Sequence, residues 1–163
     1  MRTKPKTNGS NRQTVGIDDL TGVWNRAGFI AAASPIFQSC QRRKAPIALA
    51  YFEFYSADSS ISLTQDATID RVLLSMGELM RKAFRASDLV GRIEPLRFAA
   101  LLPDCTDDAL AAVAGVRALT DDSTSRLSLA AGMVRNIPGG TLDDLMFAAD
   151  QRTKQIKRDQ IAG

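Results

Sequence analysis

Histidine is absent from all 163 residues, and cysteine occurs twice, as Cys40 and Cys105. Without imidazole there is no Ser-His-Asp type triad. Without paired Cys and His ligands at short spacing there is no ordinary zinc site. The two cysteines stand far apart, outside any C-x-x-C pair, and read as free, partly buried thiols. No apolar run approaches the ~20 residues that a membrane helix needs. The opening stretch MRTKPKTNGSNRQTVG lacks the apolar centre of a secretory signal. The expectation from these absences is a cytoplasmic protein with no membrane span. Acidic residues are also missing from residues 1–16, where Arg2, Lys4, Lys6 and Arg12 carry the charge. The net charge of +3 therefore belongs to that segment, and the remainder is close to neutral. Interleaved with Thr, Asn, Ser and Gly, these cations read as a disordered, solvated basic tail. No basic stripe on the rest of the chain supports a nucleic-acid partner.

What is present suits one globular domain over residues 17–163, with 45% hydrophobic and 24% charged residues. In GIDDLTGVWNRAGFIAAASPIFQSCQRR, Asp18 or Asp19 is placed to cap a helix burying Phe29, Ile30, Ile36 and Phe37, which Pro35 is expected to kink or split. Residues 45–55, APIALAYFEFY, read as a central strand. Residues 56–66 form a Ser- and Asp-rich loop. Residues 67–87 place apolar side chains at 69, 72, 73, 76, 79, 80 and 84, one broad helical face. A strand–turn–strand unit follows, with its turn at EPLR and its end at Pro103. A helix over 106–119 starts on Thr106, a strand spans 126–134, and a last helix is capped by Thr141. The order α–β–α–β–β–α–β–α predicts an α+β fold. It is a ferredoxin-like, palm-type plan with an extra N-terminal helix, in which two helices cover one face of a mostly antiparallel sheet.

Three stretches resemble one family in the same order. DDLTGVWNRAGF is similar to D-x-L-T-G-L-x-N-R-x-x-F, FRASDLVGR to R-x-S-D-L-V-A-R, and LMFAADQRTKQIKR to L-x-x-A-D-x-A-L-Y-x-A-K. These are the anchors of the GGDEF domain, the diguanylate cyclase module of bacterial signalling, and the resemblance runs from about Asp18 to Lys157. It implies the nucleotidyl-cyclase-like fold. In that family, the 3′-hydroxyl of one GTP attacks the α-phosphate of another across a dimer, with divalent metals held by carboxylates of the first strand and the signature hairpin.

At the signature itself the chain departs from the family. Counting from Arg92, the Gly-Gly-Asp-Glu-Phe positions hold Glu94, Pro95, Leu96, Arg97 and Phe98. Pro95 adds a ring and removes an N–H where relatives keep bare backbone. Leu96 offers Mg²⁺ no oxygen, and Arg97 puts a permanent cation where an anion belongs. Glu53 is the one carboxylate near the family's first-strand metal aspartate, and it reads equally as a solvent-facing strand end. Two residues match the family's nucleotide contacts. Asp70 also suits the first turn of a helix, and Lys157 also suits a last-turn surface cation. One ligand element keeps its spacing. Arg85-Ala86-Ser87-Asp88 matches the R-x-x-D product-inhibition site five residues ahead of the signature, where Arg presents a planar fork to guanine or phosphate oxygens.

The expectation is a non-enzymatic regulator in cyclic di-GMP signalling. It would bind cyclic di-GMP at Arg85 and Asp88 or dock on EAL or HD-GYP phosphodiesterases, PilZ adaptors or active GGDEF proteins, with a homodimer as one possible state. No cofactor is expected. The alternatives are a residual cyclase, which would need Mg²⁺, and a GTP-binding module that responds without turnover.

Overall fold

The computed structural model describes residues 16–58, 67–120, 127–136 and 138–163. Most of the basic tail and of the loop after the first long strand lie outside the described residues. The elements are β1 (Trp24–Asn25), α1 (Arg26–Arg43), β2 (Ile47–Tyr55), α2 (Ala67–Ala83), β3 (Leu89–Glu94), β4 (Arg97–Pro103), α3 (Asp107–Thr120), β5 (Ser128–Arg135) and α4 (Leu142–Ala162). Compared with the sequence reading, only the two-residue strand β1 is added. Too short to show an alternation, it pairs parallel with β3 at the sheet edge.

The strand order is β1-β3-β4-β2-β5, and every pairing except β1 with β3 is antiparallel. Central strand β2 is flanked by β4 and β5, so its backbone groups are paired on both sides. Its side chains alternate between two cores. Ala48, Ala50, Phe52 and Phe54 face one core, with Ile69, Leu73, Met76 and Met80 of α2 and Val113 and Val116 of α3. Ile47, Leu49 and Tyr51 face the other, with Phe29, Ala33 and Phe37 of α1 and Leu145 and Ala149 of α4. Helices therefore cover both faces of the sheet: the expected pair, α2 and α3, lies on one, and α1 and α4 cover the other. Burial on both faces explains the nearly unbroken apolar run IALAYFEFY. The same alternation puts Glu53 on the α1–α4 face.

Helix α1 corrects two local expectations. Its cap is Asn25, whose side chain accepts from the Gly28 N–H at 2.8 Å, and not Asp18 or Asp19. Pro35 sits inside one continuous helix and does not split it. Asp18 is used elsewhere. It accepts from the Thr21 N–H at 2.9 Å and hydroxyl at 2.6 Å, and it pairs with Arg92 at 3.3 Å. Arg92 Nη2 also donates to the Pro95 carbonyl at 2.9 Å, so one side chain ties the DLTG turn to the hairpin. Helix α4 keeps its expected cap: Thr141 accepts from the Asp144 N–H, and Asp144 accepts in return from the Thr141 N–H. No helix among the described residues is long and apolar enough to cross a membrane.

Gly28 leaves no room for a side chain. A Cβ at this position would meet the Gly16 carbonyl oxygen and lie 2.7 Å from Gly16 Cα and from the Trp24 ring. Two of these neighbours are backbone, which cannot swing away. Gly28→Ala is expected to destabilise by about 3 kcal/mol, near the upper end of overpacking costs. A urea melt reads this directly, and an unchanged midpoint would show that the Gly16 segment is not packed against α1.

Candidate functional site

The β3–β4 hairpin places the divergent signature at the edge of the α1–α4 core. Glu94 ends β3, Pro95 and Leu96 form the turn, and Arg97 opens β4. Glu94 and Pro95 are exposed, and Phe98 is fully buried in the core with α2 and α3. The Leu96 carbonyl accepts from the Phe54 N–H at 2.9 Å, so the turn is pinned to the end of β2. Arg97 lies directly across the ladder from Glu53. Both side chains point to the same face of the sheet.

Arg97 does not project from the turn as a docking cation would. It is 7% exposed and folds back onto α4. One Nη donates to Glu53 at 2.9 Å and the other to Asp150 at 2.6 Å, with Glu94 at 3.8 Å. Its Nε is buried with no hydrogen-bond partner among the described residues. The guanidinium also lies 5.5 Å from the Tyr51 ring centroid, within cation–π range. Lys157 takes the second Glu53 oxygen at 2.8 Å and sits 5.3 Å from the Tyr55 ring centroid. Lys154 takes the second Asp150 oxygen at 2.7 Å.

The surface readings of Glu53 and Lys157 do not survive as written. Glu53 is not a solvent-facing strand end, since its side chain is only 17% exposed and bonds two cations. Lys157 is not an idle surface cation. Asp150 was missed, although it stands two helical turns before Lys157 on the same face of α4, a spacing legible in ADQRTKQIKR.

Electrostatics follows the geometry. Burial pushes the Glu53 carboxyl up, but hydrogen bonds from Lys157 and Arg97 outweigh it and hold its pKa below the usual carboxylate value. Burial is likewise overcome at Asp150, by Lys154 and Arg97, and its pKa is also lowered. Burial opposes the charge on Arg97, yet its bonds to Glu53 and Asp150 raise its pKa further. Glu53, Asp150 and Arg97 are thus charged near neutral pH and compensate one another. A divalent cation does not fit this donor set. A guanidinium stands between the two acids, an ammonium occupies the other Glu53 oxygen, and Leu96 supplies no oxygen. Among the described residues, no group of three or more His, Cys, Asp or Glu side chains is placed to hold a metal.

The other predicted residues fall elsewhere. Asp70 is exposed in the first turn of α2, away from the hairpin cluster. Arg85 and Asp88 come together where α2 hands over to β3, but chiefly to bind one another. Asp88, whose side chain is 2% exposed, accepts from the Arg85 backbone N–H at 2.9 Å and from Nη2 at 3.0 Å. That Nη2 also donates to the Pro103 carbonyl at 2.8 Å. Arg85 keeps 46% of its side chain exposed, and its pKa is raised by the bond to Asp88. Beside the pair is a cavity of about 510 Å³ lined by Trp24, Met80, Arg81, Phe84 and Val90.

The sheet order, the two helical layers and the hairpin define a GGDEF-type domain. The family model "Diguanylate cyclase, GGDEF domain" matches residues 15–161, and the chain belongs to that family. Solved structures share the fold. The GGDEF domain of DgcB from Caulobacter crescentus, in complex with c-di-GMP, superposes with a TM-score of 0.82 at 18% identity, covering 96% of this chain and 95% of that one. The FimX GGDEF domain from Pseudomonas aeruginosa gives 0.76 at 22% identity, covering 88% and 94%. The diguanylate cyclase SiaD from the same organism, in complex with its activator SiaC, gives 0.76 at 24% identity, covering 88% of this chain and 58% of that one. A comparison with curated proteins found no match.

Proposed function

We propose that this GGDEF domain is catalytically silent and acts as a regulator or adaptor in cyclic di-GMP signalling, through protein contacts and through cyclic di-GMP itself. The observation that carries the reading is the position of Arg97. Its guanidinium bridges Glu53 at 2.9 Å and Asp150 at 2.6 Å, at the hairpin corner where resemblance to the family calls for carboxylates holding metal. A guanidinium has no coordination sphere in which to bridge phosphate oxygens as a divalent metal does, and Arg97 and Lys157 between them engage both Glu53 oxygens that would ligate one. Each ~1.4 kcal/mol of lost transition-state stabilisation is a tenfold loss of rate, so turnover should fall below detection. Incubated with GTP and Mg²⁺ or Mn²⁺, the purified protein should release no cyclic dinucleotide. Product formation abolished in Glu53→Gln would overturn the reading in favour of a residual cyclase. A rise in melting temperature with millimolar GTP, lost in Lys157→Ala, would favour a nucleotide-sensing module instead.

Cyclic di-GMP is assigned to the Arg85–Asp88 corner in the same proposal. The half-exposed guanidinium, neighbouring Arg81 and the 510 Å³ cavity together offer cationic forks beside an apolar wall. The ligand would have to draw Arg85 off Asp88. Calorimetric titration should give micromolar binding that weakens at least about tenfold in Arg85→Ala, the equivalent of one charge-assisted contact. No heat at any concentration would remove the nucleotide from the proposal and leave protein contacts alone.

A further inference from the structure

On the α1–α4 face, beside the Arg97 cluster, lies a second cavity of about 340 Å³. Tyr51 and Ile93 form its floor, α4 contributes Phe147 and Asp150, and Arg26 stands at the start of α1. One buried polar group here has no partner among the described residues, the Nε–H of Arg97. Tyr51, a residue only 3% exposed whose ring lies 5.5 Å from the Arg97 guanidinium, lines the same cavity and brings a hydroxyl whose pKa burial lifts to about 12. The hydroxyl therefore stays protonated and available as a donor throughout the physiological range.

The charges around the cavity do not balance. Asp150 is held by Arg97 and Lys154, and the half-exposed Glu94 lies 3.8 Å from Arg97. Glu53, behind Arg97, is held by Arg97 and Lys157. Four cations, counting Arg26, thus face three acids, and Arg26 is the one with no acid partner among the described residues. One positive charge, the unpartnered Arg97 Nε–H and the Tyr51 hydroxyl together call for a single acceptor-rich anion. The two acids at the rim disfavour a dianion such as phosphate. Phe147, 67% exposed, stands over the opening and supplies an apolar surface for the rest of the ligand.

We propose that this cavity binds a small monocarboxylate with an apolar or aromatic body, its carboxylate accepting from Tyr51 Oη and Arg97 Nε and pairing with Arg26, its body lying against Phe147. The site is separate from the Arg85–Asp88 corner, and the inference stands whether or not cyclic di-GMP binds there. Because Arg97 anchors both β4 and α4, a ligand here bears on the same hairpin as the cluster.

The test is a titration of the full chain with sodium benzoate, followed by NMR of backbone amides and of the arginine Nε–H signals. Benzamide, acetate and inorganic phosphate serve as comparison probes. Benzoate should saturate with a Kd on the order of 1 mM, as expected for a fragment of its size. It should shift the Arg97 Nε–H resonance and the amides around Tyr51, and bind more tightly than any comparison probe. Tyr51→Phe removes one oxygen and Arg26→Gln changes an exposed position, so both should keep the melting temperature of the parent. Loss of at least about tenfold in benzoate affinity in either variant supports the site. Non-saturating shifts, equal affinity for benzamide, tighter binding of phosphate, or unchanged affinity in both variants would each overturn it.

Discussion

Replacing Arg97 by Met should lower stability by about 3 kcal/mol, a fall of roughly 6–12 °C in melting temperature for a domain of this size. Methionine keeps the stem and most of the volume, so the loss isolates the guanidinium. Glu53 and Asp150 would then face each other across a buried corner with only Lys157 and Lys154 for compensation. Those ammonium groups, 31% and 46% exposed, are partly screened by water. Breaking a buried ion cluster from one side commonly costs about 3–5 kcal/mol, and the retained lysines place this case at the lower end. The control is the triple variant Arg97→Met, Glu53→Gln, Asp150→Asn. With the two acids neutralised, Lys154 and Lys157 can turn to solvent, and most of the loss should return. If the triple variant is no more stable than the single one, the penalty lies in packing and the charge argument fails. The same substitution probes function: a variant that lacks the internal cation yet still forms no cyclic dinucleotide would place the block in Pro95 and Leu96 as well.

Acid should unfold this protein through the same corner. Glu53 and Asp150 both have folded-state pKa values below their ordinary values of 4.5 and 3.8. A carboxyl whose pKa is depressed on folding binds its proton more readily in the unfolded chain. Its stabilisation is therefore complete above the unfolded pKa and is lost as pH falls through the folded one. Acid neutralises both groups together and leaves Arg97 a buried cation without its two hydrogen-bonded counter-charges, so the loss should exceed that of either single neutralisation. The melting temperature should fall steeply from about pH 4.5 downward and stay nearly level from about pH 5.5 to 8. The level stretch follows from composition, since no histidine is present to titrate there. In Glu53→Gln/Asp150→Asn the acid limb should be shallower. A double variant with the parent's slope would assign the acid sensitivity to other carboxylates.

Most of the architecture was legible before any coordinates. The apolar run of β2, the helical face of α2 with Met76 and Met80, the Thr141–Asp144 cap and the turn at EPLR are local patterns. Each is set by a period or by a side chain reaching three residues along the chain. Where reading failed locally, a longer contact had won. Asp18 was expected to cap a helix because Asp does so readily, but Arg92, 74 residues away, takes it for the hairpin, and Asn25 caps instead. Pro35 was expected to kink or split α1, and it does not split it. The packing of Phe29, Ala33, Phe37 and Cys40 on one continuous face carries the helix through it.

By itself, the sequence determined the family, which residues stand at the β3–β4 turn and the absence of histidine. All three are matters of which residues stand in which order. What the cation at position 97 does could only be decided in three dimensions. Linear spacing cannot say whether an arginine at a hairpin turn points outward as a docking group or inward. The β2–β4 register sets Arg97 opposite Glu53, and the packing of α4 across that face brings up Asp150 and Lys157. Once an arginine is buried there, the low local dielectric demands counter-charges within hydrogen-bond reach, and elements far apart in sequence supply them.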